Sequence, residues 1–446
     1  TDRLNSNRYL KKTKFVSFDR TFSAFANHQR PDRLRMLNDR NEEFQIPRGA
    51  GLSYAPASFG KDKLIRDMCS FDRILEFDES SKIVVVEAGI SLKKLLTWSF
   101  SKQLFLPVLP GQPEITVGGC VAANVHGKNP YKDGTFMEHV EWIELSHPTL
   151  GTKIISRSNE KKIFDATCGG LGLTGIITKV ALKLQKLSSE IVNLSPKKTE
   201  SLKNTLEIMK QHTSDDLLYS WNMGSTLFNF GKGIVTSGIF SDDSSSKTLQ
   251  IKERKGMNSN DRLLPFSLWN TLSSPIINSI NRKIQSGKNI VKKDVYSALF
   301  PYVGATRMFY GLYGSNGLNE YQVLIKKKYS VEFIDDLTKL IKSEKPSLTI
   351  LIMKLFNGKQ KLLHFSDEGL SIILNLKHCN STLKFLKKLD DILISYKALP
   401  YIVKDSRLTK EVVEQCYPEY HVFKEILNEI DPKRIFKSEL SERLNL

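Results

Sequence analysis

Apolar residues recur along the chain with two periods, and these periods predict where strands and helices lie. A β-branched run that ends on glycine, 81–89, predicts a strand, and 174–187 alternates apolar and polar residues as a strand does. Apolar residues at helical spacing over 91–104, behind a serine able to cap the first turn, predict a helix. A turn rich in proline and glycine follows at 106–111. Residues 14–187 are therefore predicted to form one mixed domain of strands and helices.

The pattern changes after residue 187, and a second domain is predicted over 188–395. Helical spacing and strand-like runs alternate there; the predicted helices are 201–212 and the amphipathic 381–396, and the predicted strands are 231–240, 319–328, 348–356 and 371–377. The polar, Ser-rich stretch 241–262 predicts a mobile loop, which we extend to about residue 300. Residues 396–446 are left as a C-terminal segment.

Composition places the chain among ordinary globular proteins. It has 446 residues, of which 40% are hydrophobic and 26% charged. No stretch approaches the roughly 20 apolar residues that a spanning helix needs, and the polar, basic start lacks the apolar core of a secretory signal. The five scattered cysteines favour free thiols in a reducing compartment, and no Cys/His spacing resembles a metal site. We therefore expect a cytoplasmic protein without a metal.

The formal net charge of +18 indicates attraction to anions such as nucleic acid, phosphorylated substrates or an anionic membrane surface. Solvated surface lysines with no partner explain the charge equally well, because the lysines are spread along the whole chain. A non-catalytic membrane scaffold or nucleic-acid-binding protein is therefore one open alternative. Against nucleic acid, the aromatic residues are not interleaved with basic clusters as stacking platforms are.

Three Gly-rich segments are the candidates for chemistry. Residues 170–175 match G-x-G-x-x-G, but a predicted helix precedes them and a strand follows, which is the reverse of a dinucleotide-binding site. In 47–54, glycines permit a backbone nest for phosphate oxygens. In 118–130, small residues able to lie beneath a flat ring are followed by His126 and Lys128.

Taken together and in this order, the three segments carry a family resemblance. R-G-x-G-x-S-Y (48–54), L-P-G-x-x-x-x-T-V-G-G (109–119) and G-G-x-G-L-T-G-I-I (169–177) resemble the vanillyl-alcohol-oxidase / p-cresol-methylhydroxylase family of flavoproteins. The resemblance implies an α+β fold with a two-lobed PCMH-type FAD-binding domain over 14–187. It also implies a substrate-binding cap domain, built on an antiparallel sheet with helices, over 188–395. The segment 396–446 would return to the interface between cofactor and substrate.

Within that family, the motifs H-G-K-N (126–129) and K-D-S-R (404–407) are similar to those of oxidases that act on polyprenyl-phosphoryl ribose. This resemblance implies oxidation of the 2'-hydroxyl of a polyprenyl-phosphoryl-β-D-ribose to the 2'-keto sugar, the first half of epimerisation to an arabinose donor. It further implies a short-chain reductase as a partner and a peripheral position at the inner face of the plasma membrane.

The resemblance also implies roles for individual residues. The expected FAD contacts are Arg48, Gly49, Ala50, Gly51, Leu52, Ser53, Tyr54, Gly111, Thr116, Gly118, Gly119, Ala122, Asn124, Val125, His126, Gly127, Asn129, Gly172, Ile177 and Tyr401. The expected substrate contacts are Lys128, Gln322, Lys354, Asn375 and Lys404. The expected catalytic residues are Lys404, Lys128, His126 and Tyr54; Lys404 or Lys128 is expected to hold the hydroxyl oxygen or the phosphate, and the identity of the proton acceptor is left open.

Departures from the family pattern bear on the cofactor and on the substrate. Many relatives carry a flavin-linking histidine where this chain has Leu52, which has no nucleophile, so non-covalent FAD is expected. The second hypothesis for an enzyme is a soluble sugar-lactone or alditol oxidase, similar to D-arabinono-1,4-lactone oxidase. Those relatives carry that histidine and a His-Trp-x-Lys motif near the C-terminus, and this chain has neither.

Overall fold

A computed structural model describes residues 10–38, 43–241, 265–269, 273–285, 289–301 and 306–446. The strands of this part are β1 Leu10–Val16, β2 Ser23–Gln29, β3 Gln45–Arg48, β4 Leu64–Asp67, β5 Ile74–Asp78, β6 Ile83–Glu87, β7 Leu104–Phe105, β8 Val140–His147, β9 Gly151–Ser156, β10 Ile176–Lys183, β11 Gln185–Lys186, β12 Ile191–Thr199, β13 Leu217–Met223, β14 Gly233–Phe240, β15 Val291–Asp294, β16 Leu318–Lys326, β17 Leu348–Asn357, β18 Glu368–Lys377 and β19 Leu399–Pro400. Its α-helices are α1 Leu92–Ser101, α2 Val117–Ala122, α3 Pro130–Asp133, α4 Lys161–Thr167, α5 Leu202–Lys210, α6 Ser273–Gln285, α7 Val295–Leu299, α8 Thr306–Gly311, α9 Ser330–Glu344, α10 Asn380–Ser395, α11 Lys410–Cys416, α12 Tyr420–Ile430 and α13 Glu439–Arg443.

The first lobe contains two sheets. One has the strand order β1-β2-β4-β3 and the other β5-β6-β10-β8-β9. Four consecutive residues of the β-branched β6 are buried, because this strand lies between two neighbours and beneath α1. Helix α1 begins where the sequence predicts, since the Ser91 hydroxyl accepts a hydrogen bond from the Lys94 N–H at 3.2 Å.

The second lobe is built on a sheet with the order β15-β12-β14-β13-β17-β18-β16-β19. Successive side chains of a strand point to opposite faces, so each strand serves two environments. On β16, Tyr321 and Val323 join the apolar core that α9 and α10 cover. Glu320 and Gln322 point to the other face, where the candidate site lies.

The C-terminal segment contacts both lobes. Strand β19 pairs with β16 at the edge of the second sheet. The chain then returns to the first lobe, where the Gln45 N–H donates to the Ile435 carbonyl at 2.9 Å and the Glu439 N–H donates to that of Phe59 at 2.9 Å. The segment therefore fixes how one lobe sits on the other.

Most elements predicted from the sequence are confirmed. Helices and strands occur at all the predicted places, including the helix before and the strand after the glycines of 170–175. All five cysteine thiols are free.

The mobile loop predicted over about 241–300 is wrong for part of its length. Residues 242–264 lie outside the described part of the chain. Residues 273–285 form helix α6, and 291–299 form β15 and α7. The α7 side chains Val295, Tyr296 and Leu299 are buried, since their apolar spacing suits a helix packed on β12. The polar composition of the preceding stretch does not extend into these elements.

Candidate active site

The loop after β3 presents backbone donors to a space beside Arg48. The N–H groups of residues 50–53 have no acceptor among the residues that the structure describes. Gly51 adopts a φ of +68°, and a Cβ there would overlap the Arg48 guanidinium. That guanidinium donates to the Ser58 hydroxyl at 2.8 Å, and burial lowers its pKa to about 10, so it stays charged at neutral pH. Unpaired N–H groups beside a buried cation form an anion-binding nest.

The remaining residues of this loop anchor it on both sides. Gly49 packs so closely against the Thr116 side chain that no Cβ would fit. The Ser53 hydroxyl donates to the Val403 carbonyl at 3.1 Å, which joins the loop to the C-terminal segment. Leu52 is partly buried against Phe18 and Tyr54. The loop is therefore held in place without using the N–H groups of the nest.

The second Gly-rich segment forms α2 and the turn that follows it. The Thr116 hydroxyl accepts from the Gly119 N–H at 3.2 Å and caps the helix. Gly118, an expected FAD contact, packs against β6 and the turn after it: its N–H donates to the Ala88 carbonyl at 2.7 Å, and a Cβ would crowd Ala88. Gly111 lies apart, exposed in the turn 106–111, with nothing near the position of a Cβ.

The turn after α2 is shaped by two asparagines. Asn124 adopts a φ of +40°, and its side-chain oxygen accepts from the Met137 N–H at 3.0 Å. Asn129 was expected to offer donors to the cofactor, but its amide nitrogen donates to the Thr213 and Asp215 carbonyls, at 3.0 and 2.6 Å. Each side chain leaves one buried polar atom without a partner in the described chain, Asn124 Nδ2 and Asn129 Oδ1. Those two atoms remain able to bind a ligand.

The third Gly-rich segment packs between the other two. The Gly169 and Leu171 N–H groups both donate at 2.8 Å, to the carbonyls of Val121 and Ala122 respectively. Gly172 adopts a φ of +77°, and a Cβ there would lie 3.2 Å from the Pro47 ring. The three segments, far apart in sequence, therefore meet at one place. Two more predicted residues lie within this region, Val125 in the turn after α2 and the buried Ile177 at the start of β10.

His126 is the junction between the two lobes. Its Nε2 accepts from the Gln322 side-chain amide at 2.8 Å, and its Nδ1 lies 3.3 Å from the Gly127 carbonyl oxygen. A neutral ring whose Nε2 accepts from Gln322 carries its proton on Nδ1, which faces the Gly127 carbonyl oxygen and, also at 3.3 Å, Lys354 Nζ. Burial and the nearby Lys354 lower the pKa of His126 well below its ordinary value, so the ring stays neutral.

Three lysines converge on the same face of the second sheet. Lys354 donates to the Gly127 carbonyl at 2.8 Å, and Lys404 donates to the Glu320 carboxylate. Lys128 is buried and has no hydrogen-bond partner among the described residues. Burial and Lys404 lower its pKa to about 8; burial and the two other ammonium groups lower the pKa of Lys354 well below its usual value. Amines held this close favour an anion among them.

Aromatic side chains close the site on two sides. The Tyr401 ring stacks on Phe365 with centroids 4.5 Å apart, and its hydroxyl donates to the Ala123 carbonyl at 3.2 Å. The Tyr54 hydroxyl pairs with that of Tyr310, and Lys404 Nζ lies 4.2 Å from the centre of the Tyr54 ring. Burial, with the Glu320 carboxylate close by, raises the pKa of Tyr54 well above its usual value. Tyr54 is therefore a neutral donor at physiological pH.

Sequence reasoning missed Glu320, Tyr310 and Ser371. Ser371 accepts from the Gln322 amide at 3.0 Å, and Glu320 lies directly across the strands from the predicted Asn375. The signal that could have found Glu320 and Ser371 is strand alternation, because they lie two residues from Gln322 and four from Asn375 on strands that were predicted. No local sequence signal indicates that Tyr310 is the hydrogen-bond partner of Tyr54.

The arrangement can hold a dinucleotide-like cofactor beside an anionic substrate. The nest at 50–53 and Arg48 suit a pyrophosphate, while small residues, Asn124 and His126 line the adjoining space. The lysines on the opposite side suit a phosphate. The donors present therefore fit FAD.

Comparison with known proteins agrees with this arrangement. Residues 32–152 match the family model of an FAD binding domain. The decaprenylphosphoryl-beta-D-ribose oxidase of Mycolicibacterium smegmatis is 28% identical over 414 residues, covering 90% of this chain and 89% of that protein. The probable L-gulonolactone oxidase 6 of Arabidopsis thaliana is 21% identical, covering 86% of this chain and 71% of that protein. The D-lactate dehydrogenase of Anaerostipes hadrus is 28% identical over 155 residues, 33% of this chain and 32% of that protein. The predicted α+β class and FAD as cofactor are thereby confirmed.

Proposed function

We propose that this chain, an FAD-dependent oxidoreductase with an FAD binding domain matched over residues 32–152, oxidises the 2'-hydroxyl of a polyprenyl-phosphoryl-β-D-ribose to the 2'-keto sugar. The observation that carries the proposal is the convergence of Lys128, Lys354 and Lys404 beside the three Gly-rich segments. A sugar that carries a phosphate needs such a cationic pocket, whereas an uncharged sugar does not.

The cofactor is held by this chain without a covalent bond. The N–H groups of 50–53 and the Arg48 guanidinium would hold the pyrophosphate, and Leu52 supplies no linking atom. Bound FAD supplies the acceptor for the hydride that leaves the sugar carbon. The turn after α2 and His126 would contact the flavin, and the stacked pair of Tyr401 and Phe365 would exclude water from the site.

An apolar wall continues from the lysines along the same face of the sheet. Ile350 and Ile352 on β17 lie four and two residues from Lys354, respectively, and they pack with Trp221, Met223 and Phe309. A wall of this kind next to a phosphate site suits the first isoprene units of a lipid chain. It supports a polyprenyl phosphate over a free sugar phosphate.

The reaction removes a hydride from carbon and a proton from the hydroxyl oxygen. Lys404 is already engaged with Glu320, which suits it to hold the phosphate or the hydroxyl oxygen. Lys128 has no such partner, and its lowered pKa of about 8 allows it to exchange a proton near neutral pH. We therefore propose that Lys128 attracts the phosphate while it is charged and accepts the proton in its neutral form, and that Lys404 holds the substrate.

A substrate with a lipid tail implies that the enzyme acts at a membrane face, and helix α6 offers a surface for docking there. Ile276, Ile277 and Ile280 are exposed together on this amphipathic helix. Across the described chain, no helix combines the length and apolar composition that crossing a bilayer requires. We propose peripheral docking through this face, and reduction of the keto product by a separate short-chain reductase.

Anaerobic reduction of the bound flavin tests the proposal. Polyprenyl-phosphoryl ribose should bleach the flavin absorbance, and the same lipid with a 2'-deoxyribose should not. Bleaching by L-gulono- or D-arabinono-1,4-lactone, with no response to the phosphorylated sugar, would support the lactone-oxidase alternative, which the gulonolactone oxidases among the relatives favour. A colourless protein that does not bind added FAD would contradict both.

A further inference from the structure

Glu320 places a negative charge inside an otherwise cationic site. Its side chain is only 5% exposed, and it bonds to Lys404. In the part of the chain that the structure describes, no other carboxylate is in contact with Lys128, Lys354 or Lys404. A buried acid at this position weakens the attraction of the three lysines for any anion.

The three lysine amines together carry less positive charge than three fully protonated lysines would. Burial and mutual repulsion lower the pKa of Lys128 to about 8 and that of Lys354 well below its usual value. Because their charges oppose one another, the three lysines do not act as three full charges toward a ligand. One carboxylate therefore cancels a large share of the site's net charge.

We infer that Glu320 is a specificity-determining residue that favours a phosphodiester, with one negative charge, over a phosphomonoester. A monoester carries close to two charges at neutral pH. Repulsion from a fixed carboxylate scales with the ligand's charge, so it opposes the monoester about twice as strongly as the diester. The inference rests on the proposed function, in which the substrate's phosphate binds among these lysines, and it implies that Glu320 weakens the binding of free sugar phosphates relative to that of the diester.

The test compares two ligands that differ by one charge and a methyl group. Binding of β-D-ribose 1-phosphate and of its methyl ester is measured at pH 7.5 through the flavin spectrum of the FAD-loaded protein. In Glu320→Gln, the ratio of the two dissociation constants should shift toward the monoester on the order of tenfold. Glu320→Asp keeps the charge and should keep the original ratio.

Glu368→Gln is the matched control. Glu368 lies on β18 of the same sheet and pairs with Lys327 at the surface, outside the site. The same substitution there should leave both dissociation constants unchanged. If Glu320→Gln folds poorly, the ratio of the two dissociation constants is measured instead in Lys404→Met and in the double variant Glu320→Gln/Lys404→Met. These two proteins differ only in the carboxylate, and neither contains an unpaired Lys404.

An unchanged ratio in these variants would overturn the inference, and so would an equal loss of both ligands, which would mean that Glu320 only holds Lys404 in place. The proposed function fails separately, if polyprenyl-phosphoryl ribose does not reduce the flavin. A shifted ratio together with that failure would retain the charge selectivity and reject the substrate.

Discussion

Single buried amines set how the site responds to pH. Lys128 is 8% exposed, so its ammonium group has lost most of its hydration, and Lys404 repels it. Both effects lower its pKa to about 8 from an ordinary value near 10.5. Its charge is present below pH 8 and is lost as the pH rises through that value. Attraction for an anion must follow the same course.

The KM for a phosphorylated substrate should therefore rise as the pH increases above about 8. For one proton, the limit is about tenfold per pH unit. Lys128→Arg keeps its charge at all these pH values, so its KM should stay level, although a lower kcat is expected if Lys128 accepts the proton. Steady-state kinetics between pH 6.5 and 9.5 measure both; a level wild-type profile would remove Lys128 from the binding of the phosphate.

The nest at 50–53 depends on one glycine in particular. Gly51→Ala places a Cβ into the Arg48 guanidinium, at a φ of +68° that alanine rarely adopts. We expect the purified variant to lose most of its FAD, measured as the ratio of flavin to protein absorbance. Gly111→Ala is the control, because nothing lies near the position of its Cβ. Equal flavin content in both variants would contradict the role of the nest.

At the scale of elements, the second sheet separates folding from chemistry by its two faces. Odd-numbered positions of β16, Tyr321 and Val323, pack into the core under α9 and α10, and Glu320 and Gln322 face the ligands. Burial on one face stabilises the strand in the register that presents the other face. The site therefore depends on the helices that lie behind it.

Substitutions in helix α10 measure how strongly the packing behind the sheet stabilises the protein. Leu389→Ala removes a fully buried side chain from the core and should lower the free energy of unfolding by about 2–5 kcal/mol. Lys387→Ala, on the exposed face of the same helix, should change it by less than about 0.5 kcal/mol. Urea denaturation followed by circular dichroism gives both values. A small effect at Leu389 would mean that α10 packs loosely on the sheet.

At the scale of the whole molecule, contacts between the lobes hold the site together. The His126 ring bonds to Gln322, the Gly127 carbonyl bonds to Lys354, and Asn129 bonds to the turn after α5. Every one of these bonds joins the H-G-K-N segment of the first lobe to the second. Displacement of either lobe would separate the predicted cofactor residues and Lys128 from Gln322 and Lys354.

The net charge of +18 and the exposed face of α6 should together produce salt-dependent membrane binding. The protein should sediment with vesicles that contain anionic lipid at low salt, and binding should weaken as the salt concentration rises. The variant Ile276→Ser/Ile280→Ser should bind several-fold more weakly, whereas Val422→Ser, an exposed apolar residue on α12, should bind like the wild type. Absence of sedimentation at low salt would reject peripheral docking.

Much of the fold was predictable because its signals are local. The strands and helices follow from periodicity and from caps such as Ser91. The Gly-rich segments follow from backbone conformations that only glycine adopts easily, and their order carried the family resemblance. The error over 273–300 had a local cause too, since a polar stretch was extended across residues whose apolar spacing suits helices and a strand.

The sequence by itself determined the elements, the cofactor class and most of the residues at the site. Only the tertiary structure decided their partners: Glu320 for Lys404, 84 positions away, Gln322 for His126, 196 positions away, and Tyr310 for Tyr54, 256 positions away. The physical reason is range. Backbone conformation depends on near neighbours in the chain, whereas the charge and hydrogen bonding of a buried group depend on whatever the fold brings against it.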